Sequence, residues 1–196
     1  LSLHDALPIS PTAELKNMVL QTLDRMAQEG CLPAHCQYIL ELLSSPEQIE
    51  KADAIIQSIE ALPNKEFVLY ITYFKNNCTM QLHDLAEAGV ESAAHLLGYV
   101  HYILAHEHPA QYIWHLHLSL GKLHRYNKTE RARKLAAKTA YTLACHYRQS
   151  GNTKNAVRLF EIAASYDHAQ ATSYCALARL QTKTSSNQIQ DIQLVE

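Results

Sequence analysis

Histidine is the residue type through which this sequence could most readily do chemistry. Twelve of the 196 residues are histidine, and seven of them fall within residues 95–124. His106/His108 and His115/His117 have the two-residue spacing that suits metal ligands on a β-strand, but on a helix such residues diverge by about 200°. The helical pattern described below therefore favours structural or surface histidines. A metal-dependent enzyme using the span 95–124, and a surface that becomes charged at acidic pH, are the weaker hypotheses.

No other pattern in the sequence points to catalysis. Asp84 and Glu87 are three residues apart beside His83, which is typical of a solvated acidic face. Neither a glycine-rich phosphate loop nor a nucleophile elbow occurs. Cys31 and Cys36 are too far apart for a zinc knuckle, and the five cysteines are expected to be buried thiols in a reducing compartment. We expect a non-enzyme with no catalytic residue, no metal site and no cofactor.

Charge is distributed unevenly along the chain, although the net charge is only −2. Residues 1–121 carry five Lys or Arg and 14 Asp or Glu, whereas residues 122–158 carry ten Lys or Arg and one acid, Glu130. Such asymmetry can steer an acidic partner or favour head-to-tail self-association.

Part of this positive charge recurs at helical spacing. The residues concerned form a basic stripe: Lys122, Arg125, Lys128, Arg131, Lys134 and Lys138. The stripe could bind an acidic protein surface or follow the phosphates of a nucleic acid. Tyr126 and Tyr141 are the aromatic residues close enough in sequence to stack on bases, which is few for a single-strand binder. An ordinary solvated face is the simplest interpretation.

Helices must position these residues, because the sequence holds only five Gly and six Pro. Apolar residues recur three and four positions apart, which predicts about eight or nine helices. The clearest helices are predicted at about 91–106, 109–125, 129–149, 153–166 and 169–182. No run of 18 apolar residues and no signal peptide is present, so we expect no membrane partner and a cytoplasmic location.

Four regions are predicted along the chain. Residues 1–10 are expected to be a non-native or disordered leader, and 11–85 an N-terminal helical region. Residues 86–182 form the repeat region described below, and 183–196 a polar tail.

Two local features of the N-terminal region carry specific predictions. Residues 45–48, Ser-Pro-Glu-Gln, have the pattern of a capping box. Residues 67–74 have strand-like propensity, but an isolated strand would lack a partner, so a helix capped by Asn64 is predicted. Its apolar stripe is expected to comprise Leu69, Tyr70, Tyr73 and Phe74.

The strongest pattern in the chain lies within residues 140–167. Its members are Leu143, Ala144, Tyr147, Gly151, Ala156, Phe160, Ala163 and Asp167. Leu143 and Tyr147 are expected to face a second helix, while Ala144 and Ala156 are small because two backbones cross there. Gly151 makes the turn, and Phe160 fills the space between this hairpin and the next one.

These residues at these separations resemble the tetratricopeptide consensus. A fainter copy consists of Leu97, Gly98, His101, Ala110, Trp114 and His117. Ala86, Gly89, Ala93 and Leu97 are spaced like the Sel-one-like variant of the repeat. The resemblance covers about residues 86–182 and implies an all-α fold, an irregular α-solenoid of stacked helical hairpins.

The resemblance also implies a function in protein–protein interaction, as an adaptor, a chaperone-like protein or a regulator. In the family, the first helix of each hairpin lines a concave groove that takes a peptide or a helix of a partner protein. The positions that match this groove are Lys138, Tyr141, Cys145, Arg148, His101 and Leu104. Tyr141 and Cys145 replace the Lys and Asn of the carboxylate clamp found in some members, which argues against a clamp here.

Overall fold

A computed structural model describes residues 13–126 and 128–177, and this part of the chain is all-helical with no β-strand. The helices are α1 (Ala13–Gln28), α2 (Leu32–Leu43), α3 (Ile49–Ala61), α4 (Asn64–Asn77), α5 (Thr79–Glu87), α6 (Glu91–Glu107), α7 (Tyr112–Arg125), α8 (Glu130–Gln149), α9 (Thr153–Ser165) and α10 (169–177). Short 3-10 turns, Pro46–Gln48 and Pro109–Gln111, precede α3 and α7. The predicted leader 1–10, the tail 183–196 and the end of the last predicted helix lie outside the described residues.

The chain divides into two compact units between Leu85 and Ala86. In the first unit, α2 is central, because it packs against α1, α3 and α4. Its sequence is apolar on most sides, and seven of its residues are buried: Ala34, Cys36, Tyr38, Ile39, Leu40, Leu42 and Leu43.

Polar contacts fix the helices around α2. His35 Nδ1 lies 2.8 Å from the Tyr70 hydroxyl on α4. On the other side, the Lys51 ammonium on α3 donates to the Tyr38 hydroxyl. These bonds satisfy polar groups at the edge of the core, where an unpaired group would destabilise the fold.

The predicted helix over residues 67–74 is confirmed, and its predicted apolar stripe is right in part, since Phe74 is buried and Tyr70 and Tyr73 are half-buried. Phe67, Ile71 and Phe74 are buried in α4, whereas Leu69 is 58% exposed. The spacing of four and then three places the buried residues on one side of the helix. Leu69 is two residues from Ile71, and its side chain therefore points about 160° away from that of Ile71. Asn64 is the first helical residue and Pro63 precedes it as the cap, so the predicted Asn64 cap is wrong.

The predicted capping box at residues 45–48 is also wrong. Ser45 makes no side-chain capping bond, and Pro46–Gln48 form a 3-10 turn that leads into α3. The box needs the Ser and Gln side chains to reach the backbone across one α-helical turn. The tighter turn changes that geometry, since its residues are not in an α-helix.

In the second unit, each helix from α6 to α9 packs against the next. Gly98 allows α6 to approach α7 closely, because a Cβ atom built there would lie 2.7 Å from Cγ of Leu123. The Ser119 hydroxyl of α7 donates to the Gly98 carbonyl at 2.8 Å. The two helices therefore meet through small residues at this point.

The α8–α9 pair uses alanine for the same purpose. Six alanines of these two helices are fully buried: Ala132, Ala136, Ala140, Ala144, Ala156 and Ala163. Gly151 has φ +79° in the connection, a conformation that favours glycine. Thr129 caps α8 and Asn152 caps α9 through side-chain oxygens that accept from the backbone. The predicted turn at Gly151 is confirmed, and the two alanines predicted at the crossing, Ala144 and Ala156, are both fully buried.

Phe160 occupies the position predicted for it, and Trp114 does not. Phe160 is 1% exposed, and its ring lies 4.0 Å from that of Tyr174 on α10. Trp114, placed at the same offset in the fainter copy, is 58% exposed, and Ala110 lies in a 3-10 turn. In α7 the residue that hydrogen-bonds to Gly98 is Ser119.

Candidate functional site

Six of the residues singled out in the sequence lie along one face of α8. They are spaced three, four, three, four and three apart, which keeps them on a single helical stripe. This α8 face consists of Arg131, Lys134, Lys138, Tyr141, Cys145 and Arg148. Lys134, Lys138 and Arg148 are exposed and the other three are half-buried. The face thus combines four positive charges with a tyrosine and a thiol.

Aromatic rings of neighbouring helices border the α8 face at two points. The Lys138 ammonium lies 5.6 Å above the ring of Tyr102 on α6. A hydrogen bond with the Tyr102 hydroxyl raises the pKa of Lys138, so this lysine is held in its charged form. The Arg148 guanidinium lies 5.7 Å from the ring centre of Tyr174 on α10. Contacts of this kind orient cations over rings while leaving their outer side hydrated.

Tyr141 is held in place near the middle of the α8 face. Its ring stacks on His168 at a centroid distance of 4.3 Å and an angle of 16°. The edge of Phe160 approaches it at 5.6 Å. Burial and a hydrogen bond with the Cys145 thiol raise the pKa of Tyr141. Tyr141 therefore serves as a fixed wall of this surface.

His101 and Leu104, the two groove positions predicted on α6, are not part of the α8 face. His101 is only 8% exposed, and its Nδ1 atom lies 3.2 Å from Nδ1 of His115 on α7. The residue of α6 that reaches α8 is Tyr102. Leu104 is two positions from Tyr102, about 200° around the helix, and so lies on a different face of α6.

The basic stripe predicted from the sequence is divided between elements. Arg131, Lys134 and Lys138 are on the α8 face, whereas Lys122 and Arg125 end α7. Burial, and then the charge of Arg125, lower the pKa of Lys122.

In the first turn of α8, the carboxylate of Glu130 offsets part of the positive charge. Glu130 accepts from Arg133 and forms an ion pair with Lys134, both at 3.1 Å. Hydrogen bonds, first from Lys134, lower the pKa of Glu130. Lys128, in the connection before α8, lies 4.9 Å above the ring of Tyr126. The net charge of the α8 face is therefore carried mainly by the residues beyond this turn.

Two of the three histidines of α7 bond to tyrosines further along the chain. His117 Nε2 lies 2.8 Å from the hydroxyl of Tyr147 on α8, and His124 Nδ1 lies 2.6 Å from that of Tyr166. Tyr147 consequently points toward α7, which corrects the prediction that it faces α9. Sequence reasoning missed these pairs. In the described part of the chain, no three His, Cys, Asp or Glu side chains come close enough together to hold a metal ion.

Two cysteines of the first unit have the chemistry of core residues. Cys36 and Cys78 are buried, and burial raises the pKa of both thiols. A raised pKa keeps a thiol protonated, and the protonated form is a poor nucleophile and a poor metal ligand.

Comparison with known protein families, with curated proteins and with solved structures finds no match for this chain. Within residues 13–126 and 128–177, no helix combines the length and apolar character needed to cross a membrane.

Proposed function

We propose that this chain is a protein-interaction module of the tetratricopeptide or Sel-one-like kind, and that its α8 face binds an acidic segment of a partner protein. The observation that carries the proposal is the α8 face itself, where four cations share one stripe with no acidic residue in it, although Lys134 is ion-paired with the neighbouring Glu130. Its opposite side is buried, so the stripe is turned outward by the packing of the second unit.

The packing of the second unit supports the repeat assignment within this proposal. Consecutive helices pack in pairs, and the first helices α6 and α8 also meet, through Lys138 and Tyr102. In a stack of helical hairpins, first helices lie side by side and form the inner surface. The α8 face would then be part of a groove, with Tyr102 on one side and Tyr174 on the other.

An acidic protein segment suits the α8 face better than a nucleic acid. Single-strand binding relies on aromatic rings that are open to stack on bases. Tyr126 is 3% exposed, and Tyr141 is already stacked on His168. The carboxylates of a peptide need only the charge and hydrogen bonds that Lys and Arg provide.

Charge reversal on the α8 face tests this proposal. The variant Lys134→Glu/Lys138→Glu should lose affinity for a labelled glutamate-rich peptide, as measured by fluorescence anisotropy at about 50 mM salt, where surface charges are weakly screened. The matched control is Lys154→Glu/Arg158→Glu. It has the same spacing and the same change of charge on exposed positions of α9. The control should bind nearly as the unaltered protein does.

Equal losses of peptide affinity in the α8 variant and the α9 control would show that binding depends on overall charge and not on the α8 face. A mixed-sequence oligonucleotide forms the second arm of the experiment. Binding to it that is tighter than to the peptide, and that falls steeply with salt, would favour the nucleic-acid alternative. Crosslinking of both variants to proteins of the host would then identify which partners depend on the α8 face.

A further inference from the structure

The first unit exposes an apolar face that is separate from the α8 face. On α1, Met18 is 63% exposed, Val19 is 43% exposed and Met26 is 38% exposed. Together with Leu15 and Thr22 these residues define the α1 face, which follows helical spacing over three turns. The side of α1 that packs toward α2 carries other residues, which are half-buried: Leu20, Leu23 and Ala27.

A groove continues the α1 face toward the end of α2. It has a volume of about 390 Å³ and lies between α1, the last turn of α2 and the 3-10 turn. Leu15, Val19 and Leu20 form its apolar floor, and Glu41, Ser44 and Glu47 are among its polar lining. A shallower depression covers Met18, Val19 and Thr22. Floor and wall together have the shape that receives one side of a helix.

Acidic residues predominate around this groove. Glu41, Glu47 and Lys16 line the groove, and Glu14, Arg25 and Glu29 lie within four residues of Met18 or Met26 along the chain. An occupant with an apolar stripe and positive flanks would match both the floor and the rim. Methionine side chains are flexible and adapt to varied apolar partners. All three methionines of the chain are exposed, and two of them lie on this face.

We propose that the α1 face is a second docking site, and that its occupant is an amphipathic helix of a partner protein with Lys or Arg beside its apolar stripe. A second copy of α1 fits less well. In an antiparallel pair, matching Leu15 with Met26 places Lys16 opposite Arg25, and like charges then meet at both ends.

A designed peptide tests this docking site directly. The probe is a fluorescein-labelled, 18-residue amphipathic helix of Leu and Lys, compared by anisotropy with a scrambled peptide of the same composition and with a Leu/Glu helix. The unscrambled Leu/Lys helix should bind the full chain most tightly. Met18→Lys should weaken this binding about tenfold or more, because a buried apolar contact is replaced by a like charge.

Met80→Lys is the matched control, since Met80 is 81% exposed on α5 and the substitution is the same. It should leave the affinity nearly unchanged, and Met26→Lys should repeat the effect of Met18→Lys. The proposal is overturned if Met18→Lys and Met80→Lys have equal effects, or if the scrambled or Leu/Glu peptide binds as tightly. It is also overturned if sedimentation shows a dimer that Met18→Lys dissociates, since a second copy would then occupy the face.

Discussion

At the scale of single residues, Phe160 connects three helices of the second unit. Its side chain belongs to α9, its ring is in edge contact with Tyr141 of α8, and it lies over Tyr174 of α10. Truncating a buried phenylalanine removes its transfer free energy and leaves a cavity that the surrounding helices fill only in part. The size of this loss is therefore a measure of how tightly the three helices are packed.

Phe160→Ala should lower the free energy of unfolding by about 3–5 kcal/mol, a large part of the stability of a typical domain. Trp114→Ala is the control, because Trp114 is 58% exposed and its truncation should cost less than about 1 kcal/mol. Denaturant unfolding followed by far-ultraviolet circular dichroism measures both. A loss for Phe160→Ala no larger than for Trp114→Ala would contradict the packing described.

Residue roles could be predicted where they depend on local spacing. The positions of Phe160, Ala156 and Gly151 follow from one hairpin with a short turn, and all three are where the sequence placed them. The bonds of His117 with Tyr147 and of His124 with Tyr166 join residues 30 and 42 positions apart. Such pairs depend on the register between separate helices, which a repeat pattern with one clear copy does not specify.

At the scale of elements, the crossing of α6 and α7 has the least space for side chains. Gly98 faces Leu123 there, and the nearest contact of an added Cβ would be with Cγ, which is not the flexible end of the side chain. Gly121, also within α7, has no atom within 4 Å of the corresponding position. Both glycines lie inside helices, but only Gly98 is tightly packed against a neighbouring helix.

Gly98→Ala should destabilise the protein by about 1–2 kcal/mol, because overpacking outweighs the gain in helix propensity. Gly121→Ala should instead stabilise it, by up to about 1 kcal/mol, since only the propensity term applies. Thermal unfolding of the two variants measures both effects. Shifts of the same sign would show that the close approach of α6 to α7 is not a constraint.

Helices proved easier to predict than the faces that they bury. In α4 the helix was predicted correctly, but its stripe was assigned to Leu69, Tyr70, Tyr73 and Phe74, of which Phe74 is buried and Leu69 is exposed. Burial follows the positions of α2 and α3 instead, and selects Phe67 and Ile71. Amphipathic sequence favours a helix, whereas the direction of its contact depends on neighbours that local pattern does not contain.

At the scale of the whole molecule, the histidines link folding to pH. Burial lowers the pKa of His35 in the first unit and of His115 and His117 in the second. Neighbouring His108 adds to the effect at His115, and His146 at His117. The unfolded chain therefore binds more protons than the folded chain below the unfolded pKa of about 6.5.

The free energy of unfolding should not depend on these three histidines above about pH 6.5, and should decrease as the pH falls below that value toward their lower folded pKa values. Urea unfolding at a series of pH values between 8 and 5 measures the decrease, within the range where histidine titrates. His115→Gln, which cannot titrate, should reduce the slope. A stability that stays constant across the series would show that the folded and unfolded histidines have equal pKa values.

The charge asymmetry could be read from the sequence, but the two proposed docking surfaces, the α8 face and the α1 face, could not be predicted equally well. The α8 face was anticipated because six candidates recur at helical spacing on a single element. The α1 face was not predicted, because apolar residues at helical spacing look the same in sequence whether or not a neighbouring helix covers them. Whether an apolar stripe is covered depends on the helices that surround it, and α1 packs against α2 on one side.

Trp114 is the sole tryptophan in the sequence and stands mostly in solvent, with the rings of His101 and His115 beside it. Its emission should therefore report on one end of the α6–α7 pair and on the imidazole of His115. A thermal unfolding curve recorded by Trp114 fluorescence would follow this local environment and would underestimate the cooperative unfolding of the core. Trp114 thus provides a site-specific fluorescent probe without labelling, and unfolding of the rest of the molecule needs a second signal.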